Sequence, residues 1–159
     1  MIFMSMIWPF SFILCMLFQT GGVAPLSFPD DVLSAAEKVQ MEKESNNVDH
    51  RIKIYDSASA RIQKNLREAI AKNNFQAVPS NLNKWILLLS SSLKDIESNL
   101  KAKKKSRPLI NYEIHLRKAI ANTQEYKMRA PVEQQDIFES SLGQAETIRK
   151  RFVEILFEH

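Results

Sequence analysis

Residues 48–72 read VDHRIKIYDSASARIQKNLREAIAK, and the spacing of their apolar members decides the fold class. Val48, Ile52, Tyr55, Ser59, Ile62, Leu66 and Ala69 recur at alternating intervals of four and three residues, and Ala58 and Ile70 widen the stripe. On a helix of about 3.6 residues per turn these positions share one face, so the segment reads as an amphipathic helix with one side against a core. Asn73 and Asn74 stop it, because asparagine tolerates the left-handed conformation of a C-terminal cap.

Three further helical patterns follow. Phe75 and Val78 tuck the connection under the core, and Pro79 with Ser80 as N-cap opens a second helix with Leu82, Trp85, Ile86, Leu89, Leu93, Ile96 and Leu100 on one face. Leu87 and Leu88 lie outside that face, which predicts that this helix is the most buried and touches two neighbours or a second subunit. A third helix begins after Arg107 at Pro108, carries Leu109, Tyr112, Leu116, Ala119, Ile120 and Thr123 inward, and ends near Met128. Pro131 opens the fourth, whose inward set is Phe138, Leu142, Ala145, Ile148, Phe152, Ile155 and Leu156.

Residues 48–72, 80–104, 108–129 and 132–158 give rods of roughly 33–40 Å. Short connections make sequential helices antiparallel neighbours, which predicts an all-α, up-down-up-down bundle of about four helices with a long first helix. Three glycines in 159 residues argue against a turn-rich β fold, which needs glycine at positive φ.

On the N-terminal side, Ser45, Asn46 and Asn47 are poor helix-interior residues and mark a weak point. Before them, Pro25 to Pro29 forms a short extended lead, and Asp30 as N-cap with Asp31 in the first turn starts a helical extension. Residues 30–46 either continue straight, projecting roughly 25 Å beyond the bundle, or bend at Asn46 and lie across it. The expected organisation is a signal segment over 1–24, a lead and extension over 25–47, and the bundle over 48–159.

Met1 to Phe18 is almost uninterruptedly apolar and is followed by Gln19, Thr20, Gly21 and Gly22, the layout of a secretory signal with cleavage after Gly22 or Ala24. No Lys or Arg precedes Lys38, so a basic n-region is missing. The alternative is an uncleaved anchor, since about 18 apolar residues reach the low end of the ~17–25 that span a bilayer. Export to the periplasm or beyond the cell is therefore expected, with membrane anchoring as the alternative. The sole cysteine, Cys15, lies in this segment, so cleavage leaves no thiol for a disulfide, a nucleophile or a metal site.

Chemistry is sparse in the pattern. His50, His115 and His159 have no partner histidine at helical spacing, and no metal, haem or other cofactor motif is present. Ser90, Ser91 and Ser92 sit mid-helix among leucines and read as small residues for close packing rather than nucleophiles. Asp95 and Glu97, two apart, point to different faces and form no natural acid-base pair. The tyrosines Tyr55, Tyr112 and Tyr126 and the core-stripe Trp85 read as packing residues. No catalytic set is picked out.

The one concentrated feature is Lys101, Lys103, Lys104, Lys105 and Arg107. Cations there complement a helix C-terminus and keep a loop solvated. Read functionally, they form an anion site for envelope lipid or polysaccharide. No aromatic residue interleaves them, so base stacking and nucleic acid are not indicated.

Arg51-Ile52-Lys53-Ile54-Tyr55 with Ala58 and Arg61-Ile62, then Lys103-Lys104-Lys105-Ser106, resembles a group of uncharacterised exported bacterial helical proteins. The resemblance covers most of the chain after the signal segment. It implies bacterial export and a helical fold, and carries no activity and no functional residue. The expected function is that of an exported, non-enzymatic envelope module contacting another protein or itself; the alternative is peripheral binding to an anionic envelope surface through the basic run.

Overall fold

The computed structural model describes residues 32–100 and 106–157, and every regular element among them is helical. Five helices run in the order α1 (Ala35–Lys43), α2 (Val48–Ala71), α3 (Val78–Asn99), α4 (Arg107–Arg129) and α5 (Gln135–Phe157). Single 3-10 turns at Phe75–Ala77 and Val132–Gln134 lead into α3 and α5. The expected signal segment, the Pro25 to Pro29 lead and the Asp30 cap lie outside the described residues. No helix among the described residues is long and apolar enough to cross a membrane.

The stripes meet as periodicity requires. Ile52, Tyr55, Ala58 and Ile62 of α2, Trp85, Leu88, Leu89 and Ile96 of α3, Leu109, Tyr112 and Leu116 of α4, and Ala145, Ile148 and Phe152 of α5 form one buried cluster. Leu66, Ile70, Val78, Leu82 and Phe138 form a second, with Phe75 packed on it. Burying a Leu, Ile or Phe side chain contributes about 1.5–3 kcal/mol, so these clusters hold the fold. The Tyr112 and Phe152 rings lie 5.3 Å apart and tilted by 41°.

Each long helix touches two others: α2 packs on α3 and α4, and α5 packs on α3 and α4. Partners along α2 and α4 rise together, Asp49 with Ser106, Asp56 with His115 and Gln63 with Thr123, so these two run parallel. Partners along α2 and α3 run oppositely, Arg51 with Asp95 and Ser59 with Trp85, as do Glu113 with Arg149 and Lys127 with Glu139 along α4 and α5. The expectation that sequential helices are neighbours therefore fails at one step, because the main partners of α3 are α2 and α5 rather than α4. Leu88, fully buried while Leu87 is exposed, gives α3 the extra apolar side that this arrangement needs.

Helix ends follow local chemistry. Asn73 adopts φ 53, with its N–H donating to Ile70 O at 3.2 Å and that of Asn74 to Ala69 O at 2.8 Å, a paired-carbonyl termination of α2. Ser80 is not an N-cap: α3 begins at Val78, the 3-10 turn supplies its entry, and Pro79 occupies the first turn. Likewise Pro131 precedes the 3-10 turn that leads into α5 rather than opening the helix itself.

The largest departure lies before residue 48. The helix there starts at Ala35 rather than at Asp31, because Ser34 accepts from Glu37 N at 3.3 Å while the Glu37 carboxylate accepts from Ser34 N at 2.7 Å. It is only nine residues long and separate from α2, so the long first helix is instead the second. Residues 44–47 break the chain and Asn47 caps α2, accepting from His50 N at 3.2 Å. The segment then folds back: Arg61 on α2 donates to Glu37 at 2.8 Å and to Val32 O at 2.8 Å, and Val32 and Leu33 are buried in the main cluster.

Helix α1 itself fully buries no residue and is held by that cap, that ion pair, the two apolar residues before it and Met41, which packs half-buried against the main cluster. Burial works to raise the Glu37 pKa, but hydrogen bonds from Arg61 and from the backbone and hydroxyl of Ser34 outweigh it and hold the carboxyl below its ordinary value. A lowered folded-state pKa stabilises the fold above the unfolded value, and that contribution disappears as pH falls through the lowered one. The amides of residues 35–43 should therefore be less protected than those of α2 and α3 at neutral pH, and their protection factors, with the intrinsic pH dependence of exchange divided out, should fall further on acidification, with Glu37→Gln removing the acid-dependent part. Equal protection of α1 and α2 would refute this.

Candidate functional site

Two places gather ionisable side chains, and they differ in kind. The first is buried. Arg51, 5% exposed, donates through Nε to Asp95 Oδ2 and through Nη2 to Oδ1, both at 2.8 Å, and Asp95 is 1% exposed. The Tyr55 hydroxyl donates to Asp95 Oδ2 at 2.8 Å, and Asn99 Nδ2 donates to Oδ1 at 2.8 Å. Arg51 Nη1 donates to Glu44 O at 3.1 Å and to Ser45 O, carbonyls in the break before α2. Burial and the adjacent Asp95 charge push the Tyr55 pKa well up, and the hydrogen bond to Asp95 raises that of Arg51.

Chemically this cluster is a clamp. Both carboxylate oxygens are occupied by donors from within the chain, and the guanidinium bridges α3 and the α1–α2 break. Asp95 and Glu97 do diverge as their spacing predicts, since Glu97 is exposed and accepts from Arg151 at 2.6 Å. A deeper signal was available in the sequence: Asp95 shares a helix face with Leu88 and Ser92, where an acid demands a buried partner.

The second place is an open cleft of about 300 Å³ between α2 and α4. Lys64 and Arg67 enter it from α2, one turn apart, and Lys118 and Asn122 from α4. At one end the Asp56 carboxylate lies 2.8 Å from His115 Nδ1, and Tyr126 lines the cleft as well. Gln63, also in the wall, has its Nε2 buried without a hydrogen-bond partner. The hydroxyl of Thr123 lies 3.3 Å from Gln63 Oε1 and donates to Ala119 O at 2.8 Å. Nothing in the local sequence flagged this cleft, because each of its cations reads alone as part of a solvated helix face.

Of the basic run, Lys101, Lys103, Lys104 and Lys105 lie outside the described residues. Arg107 is the first residue of α4 and exposed, following Ser106, whose hydroxyl accepts from Leu109 N at 3.2 Å and donates to Asp49 at 2.6 Å. It stands at the positive end of a helix dipole, so the dipole argument for cations in this run does not extend to it. His50 and His115 are exposed, each beside a carboxylate, at 2.9 Å from Glu44 and 2.8 Å from Asp56; His159 lies outside the described residues. Ser92 is buried and shares a 3.1 Å hydrogen bond with the Tyr112 hydroxyl, Ser91 is half-buried and Ser90 is exposed. Among the described residues no group of three or more His, Cys, Asp or Glu is placed to hold a metal ion.

No protein-family model matches this chain, and no curated protein or solved structure is significantly similar to it. The pattern in Arg51 to Ile62 is accounted for by the fold alone: Arg51 clamps α3, Ile52, Tyr55, Ala58 and Ile62 are core, and Arg61 holds α1.

Proposed function

We propose that this protein is an exported, non-enzymatic interaction module of the bacterial envelope, an up-down-up-down bundle that works by offering surface to a macromolecular partner or to a second copy. The alternation of helix direction is supported by the registers of α2 with α3, α2 with α4, and α4 with α5. One observation carries the functional reading: large apolar side chains stand exposed at the turn between α4 and α5, Met128 at 74% and Val132 at 82%. Neighbouring apolar groups left in water at one end of a well-packed rod favour covering by another surface.

Sedimentation equilibrium of the chain lacking residues 1–24 tests self-contact, since at about 50 µM an association stronger than about −6 kcal/mol populates the dimer. A dimer that Met128→Lys with Val132→Lys disperses supports the reading. A monomer in both forms removes self-association and leaves a different protein as the partner, to be recovered by crosslinking from the native compartment.

A second reading is favoured by the opposite end, where Ile110 and Phe157, 38% and 73% exposed, stand near Arg107 at the start of α4. Apolar anchors beside cations suit the interface of an anionic bilayer. Salt-sensitive binding to phosphatidylglycerol vesicles, abolished when Lys101, Lys103, Lys104, Lys105 and Arg107 are all changed to glutamine, is its test; binding unchanged by that substitution rejects it.

A further inference from the structure

We infer that the cleft between α2 and α4 is a binding site for a phosphate-bearing ligand, with Lys64, Arg67 and Lys118 around the anion. The inference concerns a surface other than the two bundle ends and stands independently of them.

Lys64, Arg67 and Lys118 line one cleft, and none of the three has an ion-pair partner among the described residues. The acid in the wall, Asp56, is already held by His115 at 2.8 Å. Arg61, Arg117, Lys127, Arg149 and Arg151 each have a carboxylate within 4.0 Å, and what distinguishes Lys64, Arg67 and Lys118 from other surface cations is that they share one hollow. Three like charges converging on one hollow repel each other, and an anion relieves that repulsion. A single carboxylate would leave the hollow cationic, whereas a phosphate carries up to two negative charges and can take the planar fork of Arg67 on two oxygens.

The rest of the wall fits the same ligand. Asn122 and Tyr126 add neutral polar groups from α4. Gln63 presents a buried amide nitrogen with no acceptor, a group whose desolvation is uncompensated until an oxygen reaches it. A volume of about 300 Å³ lies at the small end of the range for organic ligands, enough for a phosphate and a short attached group. The parallel register of α2 and α4 makes the convergence possible, since it sets Asp56 to Gln63 of α2 alongside His115 to Thr123 of α4.

A titration of the chain lacking residues 1–24 with inorganic pyrophosphate, followed by amide NMR shifts, tests the site, with glycerol 3-phosphate and phosphatidylglycerol vesicles as separate arms. Saturable shifts confined to residues 60–67 and 115–126 are expected, reduced at least tenfold in affinity in Lys64→Gln/Arg67→Gln/Lys118→Gln. That variant changes exposed side chains only, and its helical circular dichroism should match the parent. Binding of the soluble phosphates assigns a free ligand; binding of vesicles alone, lost in the same variant, assigns a lipid headgroup. Shifts spread over all surface lysines, shifts that persist in the triple variant, or no binding in any arm overturn the inference.

Discussion

Replacing Asp95 by alanine should destabilise the protein by about 3–5 kcal/mol, because it leaves the Arg51 guanidinium buried and uncompensated. Asp95 is 1% exposed and Arg51 5%, so water cannot take over the lost hydrogen bonds without opening the seam between α2 and α3. The loss also removes the carboxylate that accepts from the Tyr55 hydroxyl and from Asn99, whose Nδ2 keeps its 3.0 Å hydrogen bond to the Asp95 backbone carbonyl. Against a total stability of about 5–15 kcal/mol, a loss of that size takes a large share. The thermal midpoint should fall by roughly 6–20 °C.

The double replacement Arg51→Met with Asp95→Leu separates the pair from its surroundings. Two apolar side chains of similar volume remove both charges together, and such exchanges of a buried ion pair are often neutral or stabilising. Recovery of most of the midpoint in the double variant is expected. It should come with a local signature, since Arg51 also holds the carbonyls of Glu44 and Ser45. Residues 35–47 should exchange their amides faster than in the parent even where the global midpoint is restored. If Asp95→Ala melts within about 2 °C of the parent, the clamp is not what joins these helices.

The same cluster marks the boundary of what the sequence discloses. Periodicity places Ile62, Trp85, Leu116 and Phe152 in the core, all 1% exposed or less, because a stripe is a local property of each helix. Asn73 is legible for the same reason, as its left-handed φ follows from its own side chain. The fold-back of residues 32–43 is not local. It depends on Arg61 meeting Glu37 and on Val32 and Leu33 finding an opening in a core made by four other helices. What was legible there is the Ser34-x-x-Glu37 capping box, a start signal that joins two reciprocal hydrogen bonds.

Neighbour choice is a second property that no single helix encodes. Connection length fixes that α2 and α3 pair, but whether α4 lies beside α3 or beside α2 depends on how the apolar faces of all four long helices fit together, and α4 packs on α2 and α5. The cleft between α2 and α4 follows from that choice. Lys64 and Lys118 are 54 positions apart in the chain and become neighbours in one wall only because α2 and α4 run side by side.

Trp85→Ala should have an effect comparable to the loss of Asp95, about 3–5 kcal/mol, for a different physical reason. Trp85 is fully buried in the middle of α3 and belongs to the cluster shared by all four long helices. Truncation leaves a void that surrounding side chains on α2 and α5 can fill only in part, and the lost contacts are dispersion and apolar burial rather than charge. A smaller loss adds to it: indole Nε1 donates to the Ser59 hydroxyl at 3.1 Å, so Ser59, 5% exposed, is left without that partner. Trp85→Phe keeps most of the volume and removes the donor, and should recover more than half of the midpoint lost by alanine. Adding Ser59→Ala to Trp85→Phe should then cost little, since the hydroxyl no longer has a donor to accept. Because the charge clamp and the tryptophan act through separate contacts, the losses from Asp95→Ala and Trp85→Ala should add within about 0.5 kcal/mol if the sites are independent. A larger deviation would mean that the clamp positions α3 for the packing of its central turns, so that charge and core are one unit.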